Sequence, residues 1–353
     1  MLLNDRIQAF SEVGRFLNQF KTTGPKKDNA VMYNSDFFDE MQHKISSLEH
    51  YNGWFTTENV LFSIEQWANA LSEENLKEWM SRYDLSTTIS KNIGIIMAGN
   101  IPLVGFHDFL SVLISGHKVY VKLSSNDNLL LPFIASYLIE IEPRFKEYIT
   151  FTKDQLKEFD AIIATGSNNT ARYFEYYFGK VPNIIRKNRN SVAILTGNET
   201  KEQLEALGED IFTYFGLGCR SVSKLYVPEN YDFTLFFEAM YKFNDVIHIA
   251  KYANNYDYNK AVYLMSNFKL LENGFLILKE DQSFSSPIGT LFYETYASLP
   301  SLYENLKDNT ENIQCIASEL SEEFSVNFGE TQKPKLWDYA DGIDIIQFLT
   351  QNI

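Results

Sequence analysis

Only two cysteines occur in 353 residues, Cys219 and Cys315. That excludes a disulfide-stapled scaffold and any cysteine-rich zinc module. Glycine (17) and proline (9) are scarce, which excludes collagen-like repeats, low-complexity linkers and a mainly disordered chain. Apolar runs of membrane-spanning length are missing as well. The stretch from Ile93 to Ile114 is broken by Asn100, His107 and Asp108, and Leu129 to Ile139 is too short. At the start of the chain, Asp5 and Arg6 stand where a signal peptide needs its apolar run. The expectation is a soluble, cytoplasmic protein with no integral membrane segment.

Positive charge is also in short supply. Against 46 acidic residues there are 31 basic ones, a net charge of −15, which argues against non-specific binding to nucleic acid or an anionic membrane. The deficit is uneven: residues 1–85 carry 8 basic and 13 acidic groups, residues 86–195 carry 12 and 9, and residues 196–353 carry 11 and 24. The middle third is therefore the part suited to an anionic small molecule.

What is present is alternation. Residues 1–90 read as an N-terminal helical portion, with helix-spaced apolar residues from Phe55 to Tyr83. From Asn92 short apolar strands alternate with helices: strand Ile93–Met97, helix Pro102–Ser115, strand His117–Leu123, helix Leu129–Ile141, strands Tyr148–Thr152 and Ala161–Ala164, helix Asn169–Phe178, strand Ser191–Leu195. A second alternation follows Gly197, with a helix from Thr200 to Phe215 and strands at Lys224–Val227, Phe275–Leu278, Thr290–Tyr293 and Gln314–Ala317. This spacing predicts α/β architecture, parallel sheets wrapped by helices. The expected layout is a helical portion over 1–90, a first α/β domain over 91–197, a second over 198–330 and a closing segment, 331–353, that returns to the first.

Cys219 is the strongest single candidate for chemistry. It lies in PheGlyLeuGlyCysArgSerValSer (215–223), where Gly216 and Gly218 let backbone approach a ligand and Arg220 and Lys224 bring positive charge that favours a thiolate. Cys315, in the apolar strand pattern IleGlnCysIleAla, reads as structural. The five histidines (43, 50, 107, 117 and 248) form no protease-like signature, and no pair has metal-ligand spacing. Two loops hand a strand over to a helix, AlaGlyAsnIlePro (98–102) and AlaThrGlySerAsnAsnThr (164–170), each either an anion cradle or an ordinary capped turn. In ValLysLeuSerSer (121–125), Lys122 leaves an apolar strand beside two hydroxyls.

Taken in this order, the four segments resemble the aldehyde dehydrogenase superfamily, and within it the long-chain fatty-acyl-CoA reductase family, whose best-known member supplies aldehyde for bacterial luminescence. The resemblance spans roughly residues 90–345. It implies a Rossmann-type cofactor domain and an α/β catalytic domain carrying the thiol. It implies that Cys219 is the catalytic thiol and that the Asn100 amide helps form the oxyanion hole. It further implies that Lys122 holds the adenosine ribose of a nicotinamide cofactor, and that Gly166 and Ser167 form the turn beneath the pyrophosphate. The implied reaction is NADPH-dependent reduction of an acyl-CoA, fatty acyl in particular, to the aldehyde through an acyl-cysteine, in a homo-oligomer.

The departures from the superfamily pattern bear on direction and cofactor. Aldehyde-oxidising members carry a Glu just before the strand SerValAlaIleLeu to activate water; here ArgLysAsnArgAsnSer (186–191) has no carboxylate, which favours reduction, unless Glu175 serves instead. NAD-preferring members place an acid shortly after the Lys, where Ser124 and Ser125 stand here; hydroxyls admit a 2′-phosphate, so the expectation leans to NADPH, with NADH as the other choice. The Glu-x-Phe-Gly-Pro segment that grips the nicotinamide ribose reads SerPheSerSerPro (283–287), without its acid. That loss keeps a non-redox acyltransferase or thioesterase-like acyl binder open as an alternative, alongside a reductase of acyl phosphate or carrier-bound acyl groups. Arg186, Lys187, Arg189 and Arg220 are candidates for contacting CoA or cofactor phosphates.

Overall fold

The structure is a computed structural model and describes residues 1–86, 88–320 and 324–353. Contacts divide the chain into two units: residues 1–187 with 335–353, and residues 188–334.

Unit 1 begins with four helices and a small hairpin: α1 (Leu3–Leu17), β1 (Phe20–Lys21) paired to β2 (Gly24–Pro25), α2 (Asn34–Tyr51), α3 (Thr57–Ala70) and α4 (Glu73–Met80). In α1 the buried apolar residues Ile7, Phe10, Val13, Phe16 and Leu17 recur every three or four positions, so they form one stripe. The helical pattern read from Phe55 to Tyr83 is two helices. Ser72 restarts it, its hydroxyl accepting the Asn75 N–H as an N-cap.

A βα alternation follows: β3 (Asn92–Ile96), α5 (Phe106–Ile114), β4 (Lys118–Lys122), α6 (Leu130–Ile141), β5 (Ile149–Thr152), β6 (Ala161–Thr165), α7 (Asn168–Phe178) and β7 (Asn183–Arg186). All pairings are parallel and the strand order is β5-β4-β3-β6-β7. The chain starts in the middle, winds one way to β5 and then back the other way from β6. Doubly wound sheets of this order bind ligands beyond the carboxyl ends of their strands, at the point where winding reverses, here between β3 and β6. Apolar side chains of α1–α4, of α5 and of this sheet share one core, including Phe10, Phe16, Trp79, Ile95, Phe109, Val121 and Ile163.

Unit 2 contains β8 (Asn190–Ile194), α8 (Lys201–Phe212), β9 (Val222–Pro228), α9 (Thr234–Met240), α10 (Ala250–Met265), β10 (Leu270–Glu272), β11 (Ile277–Glu280), β12 (Thr290–Tyr296), α11 (Leu299–Asp308), β13 (Ile313–Ala317) and β14 (Ser325–Val326). Its sheet runs β10-β11-β12-β9-β8-β13-β14, parallel except where β10 meets β11. The strand read as the last of the first alternation, Ser191–Leu195, forms β8, and its backbone pairs with β9 and β13 of this sheet.

The chain then returns to unit 1 and ends with α12 (Ile345–Gln351). His117 secures it: its Nδ1 accepts the Lys91 N–H at 3.1 Å, which leaves the proton on Nε2 to be donated to the Leu349 carbonyl at 3.1 Å. His107 meets the Leu336 carbonyl at 2.9 Å and lies among Trp79, Trp67 and Tyr339. Both histidines are thus part of the packing. Among the described residues no helix is long and apolar enough to cross a membrane.

Candidate active site

Cys219 lies in unit 2, on the turn between α8 and β9, and is exposed. The approach to it is strained. Tyr214, Phe215 and Gly216 have φ of 56°, 58° and 77°, three left-handed residues in succession. For the two aromatic residues that conformation costs about 1–2 kcal/mol each. Both are buried, so packing holds what the local backbone disfavours. The helix expected to run to Phe215 stops at Phe212 for this reason.

Beyond the strained residues the turn is tied down. Ser191, fully buried on β8, donates its hydroxyl to the Cys219 carbonyl at 3.0 Å. The same oxygen lies 2.9 Å from Cys315 Sγ. The two cysteines, far apart in sequence, are therefore joined through one serine. Burial pushes the Cys315 thiol up to about 11, so it stays protonated and donates to Ser191. The charge expected near Cys219 is differently arranged. Lys224 is fully buried, bound to Glu294 at 2.7 Å and to the Gln282 carbonyl at 2.8 Å, so its charge is neutralised in place. Arg220 reaches the Thr331 carbonyl at 3.4 Å. The next layer is Asp210, fully buried, which accepts from Gly329 N, Thr331 N and Thr331 Oγ1 and so fixes the segment beside Arg220.

The other candidate residues lie in unit 1, at the carboxyl edge of its sheet. Asn100, exposed, follows β3 on a turn that continues to Gly105. The helix expected from Pro102 begins only at Phe106, because Leu103 is left-handed (φ 59°) and Gly105 packs against Met97, where a Cβ would lie 2.5 Å from Met97 Sδ. Lys122, half-buried, ends β4 beside Ile96 of β3. It forms no ion pair among the described residues. Ser124 accepts the Asn126 N–H at 3.2 Å, whereas Ser125 is exposed. Gly166 closes β6 onto α7; a Cβ there would sit 3.0 Å from Thr170 and Phe174. Ser167 is the N-cap of α7, accepting the Thr170 N–H at 3.3 Å. The capped-turn reading of this loop is therefore correct for the hydroxyl, and the first N–H groups of α7 have no acceptor within the helix.

Arg186 is not available to a phosphate. At the end of β7 it is 6% exposed and clasps Asp108 of α5 with two bonds of 2.6 and 2.9 Å. Lys187 is paired with Glu175 at 2.8 Å, and Arg189 donates to the carbonyls of Thr310 and Ile313. These residues, candidates for phosphate contacts in the sequence, are thus bound to partners too distant along the chain to be read there.

A family model for acyl-CoA reductase (LuxC) matches residues 27–240, which takes in every residue named above as a candidate for catalysis or cofactor binding. The chain belongs to the acyl-CoA reductase (LuxC) family. As a member it is an oxidoreductase acting on acyl or aldehyde groups. No curated protein matches the chain. Solved structures with the same fold are aldehyde dehydrogenases. Aldehyde dehydrogenase 21 from Physcomitrella patens, in complex with succinate, aligns with 92% of this chain and 74% of its own at 13% identity and a TM-score of 0.61. An aldehyde dehydrogenase from Bacillus cereus in complex with NAD+ aligns with 92% and 73% at 12% identity and a TM-score of 0.61. One from Mycobacterium tuberculosis, complexed with NAD+, aligns with 91% and 74% at 11% identity and a TM-score of 0.61. At such identities the likeness establishes the aldehyde dehydrogenase fold. Within that fold the chain has a Rossmann-like parallel sheet in unit 1 and a second, mainly parallel sheet in unit 2.

Proposed function

We propose that the chain reduces an acyl-CoA thioester, with fatty acyl groups as the substrate class, to the aldehyde with NADPH, through an acyl group carried on Cys219. Unit 2 supplies the thiol and unit 1 the cofactor site. The observation that carries this reading is the exposed Cys219, presented on a strained and tethered turn inside the segment matched by the family model.

In this reading the Cys219 thiolate attacks the thioester carbonyl, and the C–S bond to CoA breaks as the tetrahedral adduct collapses. The CoA thiolate leaves and takes up a proton. Asn100 contributes a neutral amide donor to the oxyanion, an interaction worth about 10²–10³ in rate where it has been removed from other enzymes. When bound, a reduced nicotinamide supplies the hydride that takes the acyl group to the aldehyde level. Release of the aldehyde returns the thiolate. Lys122 holds the adenosine ribose, the Gly166–Ser167 turn and the start of α7 receive the pyrophosphate, and Ser125 with Ser124 accommodates the 2′-phosphate. The residues fit such a group: a lysine with no acidic partner among the described residues, an exposed hydroxyl and a helix start lie along one sheet edge. The first acid after Lys122 in the sequence, Asp127, is buried with Oδ2 on the Leu103 N–H at 2.8 Å, engaged by the backbone rather than offered to a ribose. Reduction over oxidation is favoured by the lack of a carboxylate in 186–191 and by Glu175, the other candidate base, being held by Lys187.

The test is nicotinamide oxidation by the purified protein with butyryl- to stearoyl-CoA, NADPH against NADH, with Cys219→Ser as control. Loss of absorbance at 340 nm with aldehyde formed, abolished in the variant, is the expected result. Release of free CoA without nicotinamide consumption would replace this reading with the non-redox one.

A further inference from the structure

The peptide bond between Pro102 and Leu103 is held at both ends by buried side chains from distant parts of unit 1. Its carbonyl accepts the Ser63 hydroxyl of α3 at 2.9 Å, and its N–H donates to Asp127 Oδ2 at 2.8 Å. Ser63 is 3% and Asp127 7% exposed. Leu103 is left-handed at φ 59°, a conformation that a leucine adopts only when its surroundings impose it. The turn so held is the one that carries Asn100. It also lies against the loop after β4: a Cβ on Gly99 would be 2.5 Å from Ser124 Oγ and 3.1 Å from Asp127 N. Asp127 is fixed from its own side by its N–H to the Ser124 carbonyl at 3.3 Å. Its second oxygen, Oδ1, is buried with no hydrogen-bond partner among the described residues. Burying a carboxylate with one oxygen unsatisfied is costly. That cost is borne at the turn that carries Asn100, whose peptide is gripped from two other segments.

We propose that Asp127 and Ser63 are positioning residues for Asn100: by gripping the two ends of the Pro102–Leu103 peptide they hold the left-handed turn that sets where the Asn100 amide sits. The inference rests on the role given to Asn100 above. Neither residue touches the reacting atoms. Their effect passes through one turn, and displacement of a catalytic group by about 1 Å costs on the order of 10²-fold in rate.

A double-mutant cycle on the full-length protein tests this, with kcat/KM measured on whichever of butyryl- to stearoyl-CoA is turned over best. Asp127→Leu is expected to lower kcat/KM by about 10–100-fold, through kcat more than KM. Asp127→Asn, whose amide oxygen still accepts the Leu103 N–H, is expected to recover most of the loss. In an Asn100→Ala background, Asp127→Leu is expected to change the rate by less than about 2-fold, because the group it positions is gone. Ser63→Ala, a smaller change in a different element, repeats the cycle if Asp127→Leu does not fold. A loss of the same size with and without Asn100 would overturn the proposal, as would an Asp127→Asn protein as slow as Asp127→Leu. If Asn100→Ala is itself as fast as the wild type, the role of Asn100 fails and the inference with it. A slow Asn100→Ala with a fast Asp127→Leu refutes the positioning alone.

Discussion

Protonation of His117 should unlock unit 1, and the size of the effect follows from its surroundings. Its ring is 1% exposed. Burial lowers its pKa from 6.5 to about 4, the Leu349 carbonyl opposing and the charges of Arg6 and Lys91 adding to the fall. Geometry gives the same direction. Nδ1 is an acceptor for the Lys91 N–H, so a proton there would set two donors against each other. The fold therefore favours the neutral ring. The stabilisation is complete above the unfolded value of 6.5 and is lost as the pH falls from there towards 4, where the folded state also titrates. A shift of this size corresponds to about 3 kcal/mol in full, of which about 1 kcal/mol is lost by pH 5.5 and most by pH 4.5. The comparison is with His117→Gln, which cannot titrate there. Every other ionisable group is common to both proteins and cancels in the difference. All four tryptophans (54, 67, 79 and 337) lie in unit 1, so urea unfolding followed by tryptophan fluorescence reports on that unit. The stability difference, wild type minus variant, should fall by these amounts between pH 7.5 and 4.5. A difference constant to within about 0.5 kcal/mol, below what the linkage requires, would refute the buried neutral imidazole.

Other consequences can be measured in the same preparations. Asp108→Ala leaves the Arg186 guanidinium buried without its carboxylate and should destabilise unit 1 by about 3–5 kcal/mol, read by the same fluorescence titration; a loss below about 1 kcal/mol would show that the pair is not desolvated. Iodoacetamide at pH 8 should modify Cys219 and spare Cys315, whose thiol burial holds at about 11; peptide mapping showing equal labelling would contradict that burial. Cys315→Ser keeps a donor towards Ser191 and should keep kcat within about 3-fold, whereas Cys315→Val removes the donor and should slow the enzyme more; equal rates would show that the Cys315–Ser191–Cys219 chain does not steady the thiol turn.

Much of the architecture was legible because its strands are short apolar runs bounded by glycine and hydroxyl residues, as in Ile93–Met97 and Ala161–Ala164. Legibility failed where a distant side chain changes what a segment can do. Asn183–Arg186 ends in an arginine and does not read as a buried strand; it becomes one because Asp108, 78 residues earlier, neutralises that charge. Pro102–Gly105 reads as helix, and becomes a turn because Ser63 and Asp127 hold its peptide. The helix Leu299–Asp308 was legible in principle: Ser298 caps it, Pro300 opens it, and Leu299, Leu302 and Leu306 recur with its period. Ser191 carried no signal. A serine opening an apolar strand is unremarkable until β13 and the thiol turn are brought to either side of it.

The order of the chemical segments, their residue types and the family they belong to are properties of the sequence, since each needs only local backbone and side-chain chemistry. What only the tertiary structure decided is which of those residues are already bound. It took Arg186 and Lys224 out of reach of a ligand by burying each against a carboxylate, and it put one serine between the two cysteines. It also placed Asp127 under the turn of Asn100. These outcomes depend on pairings between segments tens to more than a hundred residues apart, and such pairings exist only once the sheets have formed and excluded water from them.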